Sequence, residues 1–589
     1  MAERTRARRG AAPPQSRIAE YTAAMGALRG QILVAIAFGL FVALLLAVTP
    51  LYVFQIFERV LTSRSVPTLV MLMLLAGGAM IVLAVLDWVR QAVLLRAGAA
   101  LEARLTGPIL EMLFDGAARA PVPGLRHATA DAETVRRFVG SRAMVHLTDA
   151  PWVAVLLGLI LLFNLWVFLL ATGVALVMVV LALLPRAVTR RRARDGQALA
   201  IEAETRLEER LGHAQTIAAM GMGPRVQQAW RAMHDRRVRL DSSTGNSVAV
   251  FGAAAAMVHR IGVVGVLALA AWLYTDDLLS SPAVITVALL AERAFAALER
   301  LTRAQDAMLR VNGARRRLRE LFERGEPARD RMPLPAPRGA VSLQQAMVAP
   351  PGARLAALKG VSLSLEPGDS LGVIGPSGSG KSVLARTLVG LWAPFQGTVR
   401  LDGNDLRNWS PEQLGEHVGY LSQEVDLMEG TVAEVIARLG PVDADAVIDA
   451  ARRARVHETI LRLPNGYDTA IGAGGHILPA GLRQRVALAR ALYGSPALVV
   501  LDEPNAFLDS DGEQALTEAL KGLGEAGCTV VLITQKPALL AAVESVLVLR
   551  DGQVEMMGPR QAILSRFARP GPGGGGQLPP PGNGAGGAP

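Results

Sequence analysis

Long stretches without a charged residue set the first limit on what this chain can fold into. Residues 31–57 and 66–86 contain no Asp, Glu, Lys or Arg, and residues 150–185 form a third such run. A helix rises 1.5 Å per residue and the hydrocarbon layer of a bilayer is about 30 Å thick, so about 20 apolar residues cross it. The first two runs have that length. The third is too long for one crossing, and two spans joined by a tight turn near Asn164 fit it better. The first run is no signal peptide: it is too long, and it ends in Gln55-Ile56-Phe57-Glu58-Arg59 rather than at small residues.

Two further spans are expected nearer the middle of the chain. Residues 247–274 are apolar apart from His259-Arg260, and residues 282–301 carry Glu292-Arg293. The expected spans are about 32–54, 66–86, 147–164, 165–185, 250–274 and 282–301, within a membrane domain covering 31–323. Between them, residues 87–148 are arginine-rich, with helical periodicity broken near Pro121, Pro123 and Gly124. Residues 186–246 are polar and open on Arg190-Arg191-Arg192. These read as cytoplasmic helical extensions, and the basic residues place both termini in the cytoplasm. Residues 1–30 are basic and too short for a folded domain. Arg260, Glu292 and Arg293 admit two readings: they line a polar path, or they sit at the membrane interface.

Composition agrees with a membrane protein. Hydrophobic residues make up 51% of the chain, and the mean hydropathy is +0.33. The net charge of +10 suits a lipid surface and the positive-inside bias. Nucleic acid is not indicated, because no basic stripe is interleaved with aromatics. A single cysteine, Cys528, excludes a disulfide framework and a thiolate cluster.

Residues 324–339 hold four prolines among charges and read as a linker. Beyond it, over 340–568, the composition is that of an α/β domain. Gly375-Pro376-Ser377-Gly378-Ser379-Gly380-Lys381-Ser382 matches G-x-x-x-x-G-K-[ST] at every fixed position. An apolar strand signal precedes it and a helical stretch follows. Glycines let backbone N–H groups turn toward an anion, and the helix N-terminus adds positive potential. Lys381 would reach the terminal phosphates, and the Ser382 hydroxyl would hold Mg²⁺. Downstream, Ala497-Leu498-Val499-Val500-Leu501-Asp502-Glu503 is an apolar strand ending in acid. Asp502 suits Mg²⁺, and Glu503 suits the attacking water.

The order of these motifs resembles the nucleotide-binding domain of an ABC transporter. Tyr420-Leu421-Ser422-Gln423 is similar to the Q-loop, which implies that Gln423 touches the nucleotide's Mg²⁺ or water. Leu508-Asp509 is similar to the D-loop, which implies a dimer contact through Asp509. The membrane half resembles the exporter-type permease. The whole is therefore multidomain: an all-α polytopic membrane domain followed by an α/β P-loop domain. Several stretches resemble the PrtD-like permease/ATPase of type I protein secretion. Among them are Tyr52-Val53-Phe54-Gln55-Ile56-Phe57-Glu58-Arg59-Val60-Leu61, Asp149-Ala150-Pro151-Trp152 and Leu461-Arg462-Leu463-Pro464-Asn465-Gly466-Tyr467-Asp468.

The chain departs from the family at three places. The signature Leu-Ser-Gly-Gly-Gln, which serves the nucleotide of the opposite subunit, is Leu478-Pro479-Ala480-Gly481-Leu482 here. Pro479 has neither a hydroxyl nor an N–H, and Ala480 adds a methyl group where a phosphate approaches. Gln535 stands where the family has its switch histidine, and it cannot carry charge. No aromatic lies between Gly339 and Gly375 to stack on adenine, leaving an apolar residue such as Val348 for that role.

The resemblance implies a dimeric, ATP- and Mg²⁺-dependent exporter half in a bacterial inner membrane. It further implies a periplasmic adaptor, an outer-membrane channel and a secreted polypeptide. Two other readings stay open at this point. One is a low-turnover nucleotide-binding subunit paired with a standard half-transporter; the other is an exporter of lipid or small molecules. Residues 569–589 are almost entirely Pro and Gly with polar residues and read as disordered.

Overall fold

In a computed structural model the chain forms two compact units, one holding nearly all of residues 1–328 and the other residues 329–589. The structure describes residues 16–119, 127–325, 334–353, 355–472, 475, 477–508 and 510–568. The break expected near Pro121, the Pro/Gly tail and Asp509 lie outside the described residues.

The first unit is helical, and among the described residues six of its helical stretches are long and apolar enough to cross a membrane. They are Arg17–Ser63, Val66–Phe114, Arg142–Leu161, Leu165–Leu184, Gly223–Thr275 and Ser281–Arg303. Three run far beyond bilayer thickness. The helix Val66–Arg119 has 54 residues, about 80 Å at helical rise; Leu165–Gly212 and Gly223–Thr275 are similar. The tight turn sits where it was expected. Asn164 caps the fourth span, its side chain accepting from the Trp166 and Val167 amides. The first helix starts at Arg17, so residues 17–30 are its opening turns, with Tyr21, Ala24 and Leu28 buried.

Two sequence stretches acquire a physical explanation. In Asp149-Ala150-Pro151-Trp152, the Asp149 carboxylate pairs with the Arg90 guanidinium. Arg90 is 2% exposed at its side chain and also meets Asp87 at 2.7 Å. Trp152 Nε1 donates to the Ile36 carbonyl at 2.7 Å. It does so across Gly39, where a Cβ would lie 2.9 Å from the indole. One short motif thus binds the third span to the first and second. Removing one partner of a buried ion pair typically costs about 3 kcal/mol or more. Asp149→Ala, which breaks a tie between two spans, is expected to lower the unfolding midpoint of detergent-solubilised protein more than Asp87→Ala, which breaks a contact between residues three apart on one helix.

The stretch after Tyr52 forms a π-helical turn, Ile56–Val60. Thr62 and Ser63 hydroxyls donate to the Glu58 and Arg59 carbonyls, both at 2.6 Å. Arg64, at φ +52°, ends the turn before the second span. Of the charged residues expected within spans, Arg260 is exposed, and Glu292 and Arg293 are neighbours at 3.8 Å, both part-exposed. A half-buried contact that the sequence reading passed over, His259 Nδ1 and Glu299 Oε2 at 2.6 Å, joins the last two spans.

The second unit is built on a six-stranded sheet ordered β12-β11-β3-β10-β9-β6. The strands are β3 (Ser370–Ile374), β6 (Val418–Leu421), β9 (Leu498–Asp502), β10 (Thr529–Ile533), β11 (Ser545–Arg550) and β12 (Gln553–Pro559). All neighbours pair in parallel except β12, which is antiparallel to β11. Strands covered on both faces read as continuous apolar runs, and β9 and β10 are buried at every position. Val499 and Leu501 face one core while Leu498 and Val500 face the other. A second, antiparallel sheet is ordered β2 (Leu358–Leu365), β1 (Val341–Val348), β4 (Gln396–Leu401) and β5 (Asn404–Asp405), and the short strands β7 (Gly430–Thr431) and β8 (Ala470–Ile471) pair with each other.

Candidate nucleotide site

Sheet order brings the predicted site together. In open α/β sheets, ligands sit at the carboxyl ends of the parallel strands. The glycine-rich loop leaves the end of β3, Gln535 follows β10, Asp502 ends β9 and Gln423 follows β6. These are four adjacent strands. Ile533 is level with both Asp502 and Val373, so the loops leave the sheet side by side. The switch position lies between the phosphate loop and the acidic pair.

The loop between β3 and the helix Lys381–Leu388 folds back on itself. Gly378 and Gly380 have φ of +78° and +99°, open to glycine and strained for other residues. A Cβ on Gly375 would fall 2.1 Å from the Leu549 carbonyl oxygen, and one on Gly380 2.9 Å from that of Ala357. Lys381 is buried, and its ammonium donates to the carbonyls of Gly375 at 2.8 Å and Pro376 at 2.9 Å. Burial lowers its pKa, against the pull of the Glu503 and Asp502 carboxylates.

The acidic pair is left open for a partner. Asp502 is 1% exposed, and neither carboxylate oxygen has a hydrogen-bond partner among the described residues. Burial pushes its pKa up; Ser382 faces it without closing a bond of ordinary geometry and, with Arg386 and Lys381, pulls the other way. Glu503 adopts φ +51°, a left-handed conformation uncommon for a non-glycine residue and concentrated at functional sites. Its amide donates to the Ile533 carbonyl at 2.9 Å. Burial raises its pKa while the Gln535 side chain and Lys381 oppose the rise, and Oε1 is buried without a partner among the described residues. The Ser379 hydroxyl is also buried and, among the described residues, unpaired. Unsatisfied buried polar atoms cost roughly 1–3 kcal/mol each, so their gathering at one point marks a site shaped for a polar ligand.

The remaining predicted residues divide. Gln535 and Gln423 are exposed at the carboxyl end of the sheet. Thr534 is buried, its hydroxyl donating to Asn505 Oδ1 at 3.1 Å. Val348 is a correction. It is 0% exposed within the core beneath β1 and offers no face to an adenine ring. A bulge in β1, with Gln345 at φ +45°, resets the alternation and turns Ala346 and Val348 inward. Between β1 and β2, Leu355 is an apolar side chain that is 82% exposed.

Leu478 is buried and anchors the altered signature. Pro479 occupies the N-cap of the helix Ala480–Leu492 with no side-chain cap bond. The first bond of the helix runs from the Arg483 amide to the Pro479 carbonyl. The Ala480, Gly481 and Leu482 amides are thus the unpaired donors of a helix N-terminus. Pro479 removes a hydroxyl from this helix end but leaves its amide cluster in place.

Two side chains on or around this helix were passed over in the sequence. Gln484 is 1% exposed, and its Nε2 donates to the carbonyls of Pro504 at 2.8 Å and Glu503 at 3.4 Å. Arg438 closes the other end of the helix, donating to the carbonyls of Arg490, Ala491 and Tyr493 at 3.1–3.2 Å. Cys528 is buried, its thiol pushed up to about 12 by burial, and plays no part here.

Comparison with known proteins agrees with this geometry. Residues 32–298 match the ABC transporter transmembrane region, and residues 358–506 match the ABC transporter family. The type I secretion system ATP-binding protein PrsD of Rhizobium meliloti is 35% identical over 524 residues, 88% of this chain and 90% of that protein. The ATP-dependent lipid A-core flippase of Chromobacterium violaceum is 35% identical over 275 residues, 46% of this chain and 47% of that protein. Among solved structures, a bacterial Atm1-family ABC exporter with ATP bound superposes with a TM-score of 0.78 at 21% identity. That alignment covers 92% of this chain and 96% of the other. A helical membrane unit joined to a phosphate loop and acidic strand end on one parallel sheet defines an ATP-driven permease. The chain belongs to the ABC transporter family as an exporter, with ATP hydrolysis coupled to transport.

Proposed function

We propose that this chain is the permease/ATPase of a type I secretion system, driving a polypeptide outward across a bacterial inner membrane. The observation that carries this reading is the extent of the match to the secretion protein. It runs through both units, over 88% of the chain, whereas the match to the lipid flippase stops at 46%. Both termini are assigned to the cytoplasm, and the working form is a dimer. A periplasmic adaptor, an outer-membrane channel and a polypeptide with an uncleaved C-terminal signal complete the assembly.

Mg²⁺ fits the residues at hand. The two unpaired Asp502 oxygens, the facing Ser382 hydroxyl and the exposed Gln423 would hold it, and it would neutralise phosphate charge. Lys381 exchanges its two carbonyl partners for phosphate oxygens. Glu503 holds the attacking water through a carboxylate already poised beside Gln535. The first-turn amides of the Ala480–Leu492 helix face the γ-phosphate of the opposite subunit's nucleotide.

Deleting the chain from its host is expected to abolish extracellular appearance of one or more polypeptides, which then accumulate uncleaved inside the cell. Lipid export is the rival outcome: unchanged secreted protein together with altered outer-leaflet lipid would establish it. The altered signature and Gln535 favour a second reading, in which a standard half-transporter supplies the partner subunit. Co-purification of such a chain with this one decides between the two.

A further inference from the structure

We propose that Gln484 is a positioning residue for Glu503, holding the backbone of the catalytic segment and tying it to the first turn of the signature helix of the same chain. The proposal rests on the reading of Glu503 as the group that orients the attacking water.

Both groups that meet the Gln484 side chain are carbonyls, so they require its amide NH₂. These carbonyls belong to Glu503 and Pro504, at the point where the chain leaves β9 in a left-handed turn. A residue with φ +51° persists only when its surroundings over-determine it. The Ile533 carbonyl fixes the Glu503 amide from one side, and Gln484 fixes the following carbonyls from the other.

Gly481 lies one helical turn before Gln484, on the same face. A Cβ at Gly481 would lie 3.0 Å from the Phe507 carbonyl oxygen. The first turn of the helix therefore rests against residues 503–507 of its own chain. This gives the one retained signature glycine a packing reason that involves no phosphate. Pro479, Ala480 and Leu482 are the signature positions that differ from the family, while Gly481 and the Gln484 contacts stand. The chain has kept the connection between signature helix and catalytic turn while losing phosphate-facing groups.

The test uses the full chain in lipid nanodiscs. Gln484→Met keeps the volume and removes the donors. Hydrogen exchange of the amides of residues 503–508 is expected to quicken at least tenfold, with residues 371–389 unchanged. In a Pro479→Ser/Ala480→Gly/Gln535→His background, Gln484→Met is expected to lower kcat about tenfold with the KM for ATP unchanged. It should add nothing when combined with Glu503→Gln, as expected for groups that act as a unit. Unchanged protection at 503–508 overturns the proposal. So does faster exchange throughout the domain or lost ATP binding, which would make Gln484 an ordinary core residue. Full turnover by Glu503→Gln would instead overturn the reading of Glu503 itself.

Discussion

Replacing Glu503 with Gln is expected to cut ATP turnover at least a hundredfold while leaving ATP binding within a fewfold of the original. The two effects separate because different atoms carry them. Binding is the work of the loop at residues 375–382, where Gly375 and Gly380 approach backbone too closely for a side chain. It also draws on Lys381, whose ammonium is held among carbonyls it can trade for phosphate oxygens. None of these groups bonds the Glu503 carboxylate. Hydrolysis needs a base or an orienting carboxylate next to water, worth about 10²–10⁴ in rate. Glu503 combines a buried, unpaired Oε1 with a pKa raised by burial, which suits a group that must take or steer a proton. Gln has the same shape and no basicity. Steady-state turnover and fluorescent-nucleotide binding on the purified pair of proteins measure the two quantities separately. Turnover retained in Glu503→Gln would move the water-orienting role elsewhere, with Gln535 the nearest alternative.

Much of this architecture was legible because its signals are local. A charge-free run has a length, and the 150–185 run declared two spans through its length. Asn164 marked the turn because its side chain caps the next helix. The phosphate loop is a contiguous motif between a strand and a helix. What could not be read depends on long-range pairing. No spacing says that β10 lies between β3 and β9, yet that order alone brings Gln535 beside Glu503. Val348 misled for a related reason. Strict alternation along β1 fails at the bulge at Gln345, and the side chain turns into the core. Gln484 looked like one polar residue in a run of arginines, and its carbonyl partners lie 19 and 20 positions away. The pairing of Arg90 with Asp149 was equally hidden, since it joins residues 59 positions apart.

Restoring the family's chemistry at Pro479, Ala480 and Gln535 is expected to raise the turnover of the purified chain, assayed as a homodimer, on the order of a hundredfold. Each donor aimed at a charged transition state contributes about 10²–10³ in rate. The structure narrows what must be restored. The amides of Ala480, Gly481 and Leu482 already stand free at the helix N-terminus, so the missing parts are a hydroxyl at position 479 and space at position 480. Leu482 is best left alone. It is 6% exposed within a hydrophobic core, and a glutamine there would bury an amide at a cost of roughly 1–3 kcal/mol. The variant is therefore Pro479→Ser, Ala480→Gly and Gln535→His. The signature changes act on the opposite subunit's nucleotide, whereas Gln535→His acts on the chain's own. Mixed dimers in which one subunit carries Lys381→Ala separate these contributions. A large gain in the restored homodimer, over slow turnover in the natural one, would place the natural chain beside a partner with a standard signature. Brisk turnover in the natural homodimer, unmoved by restoration, would mean that the amide cluster alone serves the γ-phosphate. The chain would then be a complete exporter half as it stands.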